Sequence, residues 1–257
     1  IETIFTSVKL ADTVKLSPLK EDRIVVKCSD PSIPSGPENI AYKAAEAVKK
    51  VFKVSKGIKI SILKKIPAGA GMAGGSGNGA AVVRGCIKLW GIKASQVSIR
   101  KILAKLGSDV PYCYMGGTAL GTGRGEKLKK LPPFTGYKVL VVNPRIHVST
   151  PEAYRLLKRG LTATEQKVSL FIKYSHFLTN RLLLSRLLEN DFEEVVCKKH
   201  PVIKKIKGEL LKNGAEGALM SGSGSTVFGL FKGAEFARRA ACSFSKKGYK
   251  VFLTELC

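Results

Sequence analysis

Between Lys64 and Val83 the chain reads KKIPAGAGMAGGSGNGAAVV, with glycine at 69, 71, 74, 75, 77 and 79, and then runs straight into an apolar, helix-compatible segment. Glycine lets the backbone adopt positive φ and lets amides approach a ligand with no Cβ in the way. Successive N–H groups can then converge on an anion, and a helix starting near Ser76 adds the positive end of its dipole. Residues 58–64 ahead of the loop, IKISILK, alternate like a strand. The pattern is that of a phosphate-binding loop between strand and helix. The competing reading is a glycine-rich turn that merely lets strand and helix pack closely. Polar side chains in the loop are those of Ser76, suited to a phosphate oxygen or a metal ion, and Asn78, suited to either.

Two better-known phosphate loops are excluded. Gly69, Gly71 and Gly74 satisfy G-x-G-x-x-G, but a dinucleotide fold places an acid about 20 residues further on, and the chain holds no Asp or Glu between Ala47 and Ser108. A P-loop needs Gly-Lys-Ser/Thr after the glycines, whereas here the lysines precede them and the loop ends in Asn78-Gly79-Ala80.

The length, 257 residues, suits one large or two modest domains. No apolar run approaches the roughly 20 residues that cross a bilayer, and the start resembles neither a signal nor a transit peptide, so the cytoplasm is the expected compartment. Cys28, Cys86, Cys113, Cys197, Cys242 and Cys257 are scattered, with neither a zinc spacing nor a disulfide framework. His147, His176 and His200 are isolated, which argues against a metal centre or a Ser-His-Asp triad and leaves each as a surface or core residue. The formal net charge of +25, from 44 Lys and Arg against 19 Asp and Glu, suits an anionic partner. Nucleic acid stays among the candidates, but the lysines are spread along the chain without a dense block or the aromatic pattern of RNA-binding sheets; a polyanionic small substrate would also benefit from this field, and solvated surface accounts for much of such a charge as well.

Strands are predicted at 2–10, 12–17, 23–28 and 58–64. A helix is predicted from Pro37-Glu38 to about Phe52, another from the glycine loop to about Leu89, and a third at 95–106 capped by Ser95. Beyond Leu106 the glycine-rich text implies turns between short strands, and PPFTGY at 132–137 reads as a linker. A buried strand follows at 138–143. Helices are expected at about 151–158, 180–198 and 201–213, then two apolar runs around Gly222-Ser223-Gly224, a helix at 234–246 and a final strand YKVFLT. The order is α+β rather than a regular βαβ series.

Three elements stand in order: the glycine loop at 67–79, LGSDVP at 106–111 and SGSGS at 221–225. Together they resemble the superfamily of galactokinase, homoserine kinase, mevalonate kinase and phosphomevalonate kinase, the GHMP kinases. LGSDVP with its continuation GGTALGTGRGE is similar to the branch that phosphorylates 4-diphosphocytidyl-2-C-methylerythritol in the non-mevalonate isoprenoid pathway. ETIFTSVKLADTV at 2–14, PENIAYKAA at 37–45, VSTPEAY at 148–154 and GALMSGSGSTVFG at 217–229 match the same branch. The resemblance weakens only between about 156 and 190.

The resemblance implies a two-domain α+β kinase, with a ribosomal protein S5 domain 2-like part over 1–137, incomplete at its start, and a ferredoxin-like part over 138–257. It implies ATP and Mg²⁺ as cofactors and a cytidine-diphosphate methylerythritol acceptor. Asp109, the first acid after Glu46, would take the role of general base at the substrate; the competing reading is a turn or capping Asp before Val110-Pro111. Asn39 would lie near the adenine. Pro67, Ala68, Gly69, Ala70, Gly71, Met72, Ala73, Gly74, Gly75, Ser76 and Asn78 would hold ATP, with Ser76 also the metal candidate. Thr150, Pro151 and Tyr154 would receive the cytidine, Tyr154 by stacking, unless it is an ordinary helix tyrosine. Ser221, Gly222, Ser223 and Gly224 would support substrate or phosphate through backbone amides, or form a plain tight turn.

The chain departs from the family's G-L-G-G-G-S-S-D/N-A at Met72, Ala73, Gly77 and Gly79, and Gly77 replaces a hydroxyl suited to magnesium. The family's early Lys and Tyr-His have no counterpart in residues 1–257, so this stretch alone is expected to be weakened or inactive. Rival readings are a homoserine- or mevalonate-type kinase and a non-catalytic basic RNA-binding protein.

Overall fold

The computed structural model describes residues 1–157 and 188–257. In its first half, β2 (Thr13–Leu19), β3 (Ile24–Cys28) and β4 (Gly57–Leu63) form a sheet of order β2-β4-β3, with β2 antiparallel and β3 parallel to the central β4. Parallel β3 and β4 require a crossover, which α1 (Ile40–Phe52) supplies. Ala41, Ala44, Ala45 and Val48 of α1 are fully buried against Ile58 and Ile60 of β4 and against Val82, Val83 and Cys86 of α2 (Gly74–Leu89). α3 (Gln96–Leu106) adds Ile99, Ile102 and Leu103 to this core, and Ser95 caps it by accepting from Ser98 N at 3.2 Å. Gly79 serves packing: a Cβ there would lie 3.1 Å from Ile40 Cγ1.

The second half is built on an antiparallel sheet of order β10-β7-β9-β8, from β7 (Lys138–Asn143), β8 (Gly217–Met220), β9 (Val227–Phe231) and β10 (Lys250–Glu255). The unbroken apolar run of β7 reflects burial on both faces. Leu140 and Val142 enter a core with Ile203, Ile206 and Leu210 of α7 (Pro201–Lys212) and Phe244 of α8 (Ala234–Lys246), whereas Val139 and Val141 enter another with Phe134, Tyr137 and Leu256. That other core takes in Ile4, Val8 and Met72 and joins the two halves. A bridge between Val8 and Leu256, with Lys9 N bonded to Glu255 O at 2.9 Å, reinforces the joint. The remaining sheet, β1-β5-β6, pairs β1 (Thr3–Thr6) with the hairpin of β5 (Thr118–Thr122) and β6 (Lys127–Lys130).

Four sequence expectations change. The helix expected from Pro37 starts at Ile40, because Asn39 keeps an extended backbone and its side chain accepts from Ala41 N at 2.8 Å. The helix expected from near Ser76 starts at Gly74. Within the irregular text after Leu106 lies α4 (Val110–Met115), six residues and so too short to show a period. The stretch 132–137 is no free linker: two aromatics in six residues seek burial, and Phe134 and Tyr137 are anchored, Phe134 N to Thr118 Oγ1 at 3.0 Å and Tyr137 Oη to Glu216 Oε2 at 3.0 Å. α5 (Thr150–Leu156) and α6 (Phe192–Lys199) complete the described helices. His176 and the 180–187 part of the expected 180–198 helix lie outside the described residues.

Candidate active site

The glycine loop is fixed from beneath by Asp12, which enters β2. Its Oδ1 accepts from Lys65 N at 2.7 Å and Ile66 N at 2.8 Å, and its Oδ2 from Lys64 Nζ at 2.7 Å and Asn78 Nδ2 at 3.1 Å. The Asp12 and Lys64 side chains are 2% and 6% exposed. Burial opposes ionisation of Asp12, but the Lys64 hydrogen bond, the two amides and the Lys64 charge together hold its carboxyl below the usual range. Sequence reading missed Asp12 and Lys64, for a pair 52 positions apart carries no local signal.

Above this anchor the backbone turns left-handed at Gly69 (φ +60°), Gly71 (φ +71°) and Ala73 (φ +50°). Alternating turns of this kind point successive amides inward. Gly71 is irreplaceable on a second count: a Cβ there would fall 2.2 Å from Ser221 O. Ser221 Oγ donates to Gly71 O at 2.8 Å, so the two glycine loops lie back to back. The first bond inside α2 runs from Gly77 N to Ala73 O, ahead of which stand the amides of Gly74, Gly75 and Ser76. No acid occupies the first turn, leaving the positive helix end uncompensated.

These amides face a cavity of about 1720 Å³, larger than the roughly 300–1,000 Å³ that takes one small ligand. Its wall contains Pro67 to Ser76 without a break, Asp109, Thr150, Pro151, Tyr154, Ser221, Gly222 and Ser223. The three other predicted site residues are not on it. Asn39 is 5% exposed and is occupied in starting α1, its Nδ2 donating to Pro34 O at 2.6 Å; the neighbouring Ile40 lines the wall instead. Asn78 is turned down onto Asp12. Gly224 faces Gly71 and Met220, where a Cβ would lie 2.8 Å from the Met220 sulfur.

Asp109 occupies the N-cap position of α4, yet its side chain makes no capping bond. No hydrogen bond or ion pair from a described residue reaches its carboxylate, and burial pushes its pKa up. Burial and the Asp109 charge raise the pKa of Tyr154, which places phenol and carboxylate within electrostatic reach. Burial and then Asp109 push the Cys113 thiol up to about 12, so it stays protonated. Tyr154 makes an edge-on contact with Phe192 at 4.9 Å between centroids. The Thr150 hydroxyl bonds Ser223 Oγ at 2.9 Å, joining α5 to the second loop. That loop is held from behind by Asn190 Nδ2, 2.8 Å from both Met220 O and Gly222 O, and by Glu193 Oε1, which accepts from Met220 N at 2.7 Å. Asn190 and Glu193 had no signal in the sequence.

Among the described residues no group of three His, Cys, Asp or Glu could hold a metal. The cavity wall carries the Ser76 hydroxyl and the Asp109 carboxylate, oxygen donors of the kind that suits Mg²⁺, which keeps waters and binds through phosphates.

Amides at a helix start, sharing a cavity wall with a carboxylate that has no partner among the described residues, suit phosphoryl transfer to a small molecule. The family model of the GHMP kinases N terminal domain matches residues 39–117 and that of the GHMP kinases C terminal region matches residues 175–250, and the chain belongs to the GHMP kinases. It is 38% identical over 255 residues to the 4-diphosphocytidyl-2-C-methyl-D-erythritol kinase of Acetivibrio thermocellus, covering 99% of this chain and 89% of that one. A crystal structure of 4-(cytidine 5'-diphospho)-2C-methyl-D-erythritol kinase matches with a TM-score of 0.81 at 29% identity, over 99% of this chain and 89% of that one. The homoserine kinase of Cytophaga hutchinsonii matches with a TM-score of 0.82 at 20% identity, over 97% and 88% of the two chains. This last likeness shows the fold alone.

Proposed function

We propose that the protein transfers the γ-phosphoryl group of ATP to the 2-hydroxyl of 4-diphosphocytidyl-2-C-methyl-D-erythritol, a step of the non-mevalonate isoprenoid pathway. The observation that carries the reading is Asp109, a half-buried carboxylate with no partner among the described residues, on the same cavity wall as the glycine loop. Phosphoryl transfer asks the protein for positioning and charge neutralisation more than for covalent chemistry. The amides of Gly74–Ser76 and the left-handed turns ahead of them hold phosphate oxygens, and α2 adds its dipole. Asp109 accepts the proton of the attacking hydroxyl, and its raised pKa makes it a better acceptor than a solvated carboxylate. Mg²⁺, when bound, would be held on the protein side by the Ser76 hydroxyl and would supply positive charge to the phosphate oxygens.

Tyr154, its ring fixed edge-on by Phe192, stacks on the cytosine, with Thr150 and Pro151 beside it. Ser221, Gly222 and Ser223 act chiefly as the back support of the ATP loop and of Thr150. Asn39 and Asn78 serve the nucleotide indirectly, by starting α1 and by pinning the loop to Asp12. The lobes divide near 137/138, between the two family matches.

ADP release with Mg-ATP and the cytidine acceptor, beside homoserine, mevalonate and no acceptor, tests the reading. Release confined to the cytidine acceptor is expected. Release with homoserine or mevalonate instead moves the protein elsewhere in the superfamily, and no release with any acceptor, from this chain or from the gene's complete product, refutes the kinase reading.

A further inference from the structure

We propose that His147 is a ligand for a polyphosphate anion held on the glycine loop, supplied by the second lobe to a wall whose other described basic side chains stand in ion pairs. The proposal rests on the kinase reading above and adds to it a residue that the sequence left as an isolated histidine.

His147 sits on a short strap, residues 144–148, between β7 and α5, and the strap is tied down on both sides of it. Asn143 is 4% exposed; its Nδ2 donates to Thr226 Oγ1 at 2.9 Å and its Oδ1 accepts from Arg145 N at 2.8 Å. The Ser225 hydroxyl donates to Ile146 O, and Val148 is buried in the second core. His147, between these anchors, is exposed on the cavity wall.

The edge of its ring lies directly against the glycine loop. A Cβ on Gly69 would fall 2.4 Å from His147 Nδ1 and 2.6 Å from Cε1, so the glycine is required for the ring to sit there. No hydrogen bond from a described residue engages either ring nitrogen, and an imidazole always has one N–H to donate, two when protonated.

The other basic side chains on the wall are committed. Lys198 pairs with Glu194 at 3.3 Å and Lys207 with Glu193, while Lys64 beneath the loop is held by Asp12. His147 is thus the one basic side chain of the described wall outside an ion pair. A cavity that takes polyphosphate needs donors opposite its backbone amides, and His147 is placed to be one.

Two sources of this chemistry meet in the cavity, the triphosphate of ATP and the diphosphate of the acceptor. The test measures binding of ATP and of CDP, separately and by calorimetry, to the wild-type protein, His147→Ala and His147→Gln, with steady-state kinetics alongside. One net hydrogen bond predicts a loss of about 3–10-fold in one affinity and the matching KM for His147→Ala. Turnover at saturation should hold within about two-fold and His147→Gln should recover most of the loss. The affinity that moves names the source. Unchanged binding of both probes, or a Gln variant as weak as Ala, overturns the proposal in favour of ring packing on Gly69. A wild-type protein that binds ATP but never phosphorylates the cytidine acceptor refutes the substrate reading and leaves the His147 comparison intact.

Discussion

Asp12 and Asp109 are partly or wholly buried carboxylates near one glycine loop, and their surroundings send them in opposite directions. Asp12 takes four hydrogen bonds, two from amides, one from Lys64 and one from Asn78, and its pKa falls. Asp109 takes none from a described residue, and its pKa rises. A saturated carboxylate builds structure; an unsatisfied one stores an unfavourable charge that a reacting hydroxyl can relieve. The same residue type therefore serves as anchor on one side of the loop and as base on the other.

The largest effect expected from this contrast is in turnover. Asp109→Asn should lower it by about 10²–10⁴-fold, and because the change removes a half-buried charge that no described residue compensates, the variant should also melt higher than the wild type at neutral pH. The sign follows from linkage. A raised folded-state pKa means that ionised Asp109 costs stability above that pKa and costs none below the unfolded value, so the gain in melting temperature should vanish as the pH is lowered. Thermal melts at several pH values check this; a lower melting temperature at neutral pH would contradict it.

Asp12→Ala should do the reverse. It leaves the Lys64 ammonium buried without its partner and should cost about 3–5 kcal/mol of stability by urea unfolding. Adding Lys64→Met should recover part of the loss, the amides of Lys65 and Ile66 remaining unpaired. Since the Asp12 pKa is lowered, its contribution is present at neutral pH and is lost as the pH falls through the folded value. An Asp12→Ala protein as stable as the wild type would break the contrast.

Much of this site was legible in the sequence, because its pieces are local. The glycine loop from Pro67 to Ser76, Asp109 in LGSDVP, Thr150-Pro151 with Tyr154, and Ser221-Gly222-Ser223 each sit within a few consecutive residues, and the structure brings them onto one wall. What escaped is what the fold creates by distance. Asp12 meets Lys64 across 52 positions, Ser221 meets Gly71 across 150, and His147 meets Gly69 only because the second lobe closes over the first. Asn39 and Asn78 were read from their place in the motifs, whereas hydrogen bonding gave both side chains to the protein itself.

Smaller changes sharpen the contrast between buttress and base. Ser221→Ala removes the hydroxyl that braces Gly71 and should cost about 1 kcal/mol with a few-fold rise in the KM for ATP, leaving turnover near normal. Loss of turnover as deep as in Asp109→Asn would make Ser221 part of the chemistry. At the small end, Gly77→Ala meets nothing within 4 Å in a helical position and should stabilise the protein by up to about 1 kcal/mol. Gly71→Ala, blocked by backbone at 2.2 Å, should disrupt the loop.

The most direct test is a ¹³C NMR titration of the carboxyl groups in aspartate-labelled protein, with Asp12 and Asp109 assigned by substitution. The account predicts that Asp109 titrates above the ordinary aspartate range and Asp12 below it, in the same folded sample. Two carboxyls titrating together, or Asp109 as the lower of the two, would contradict the division between anchor and base.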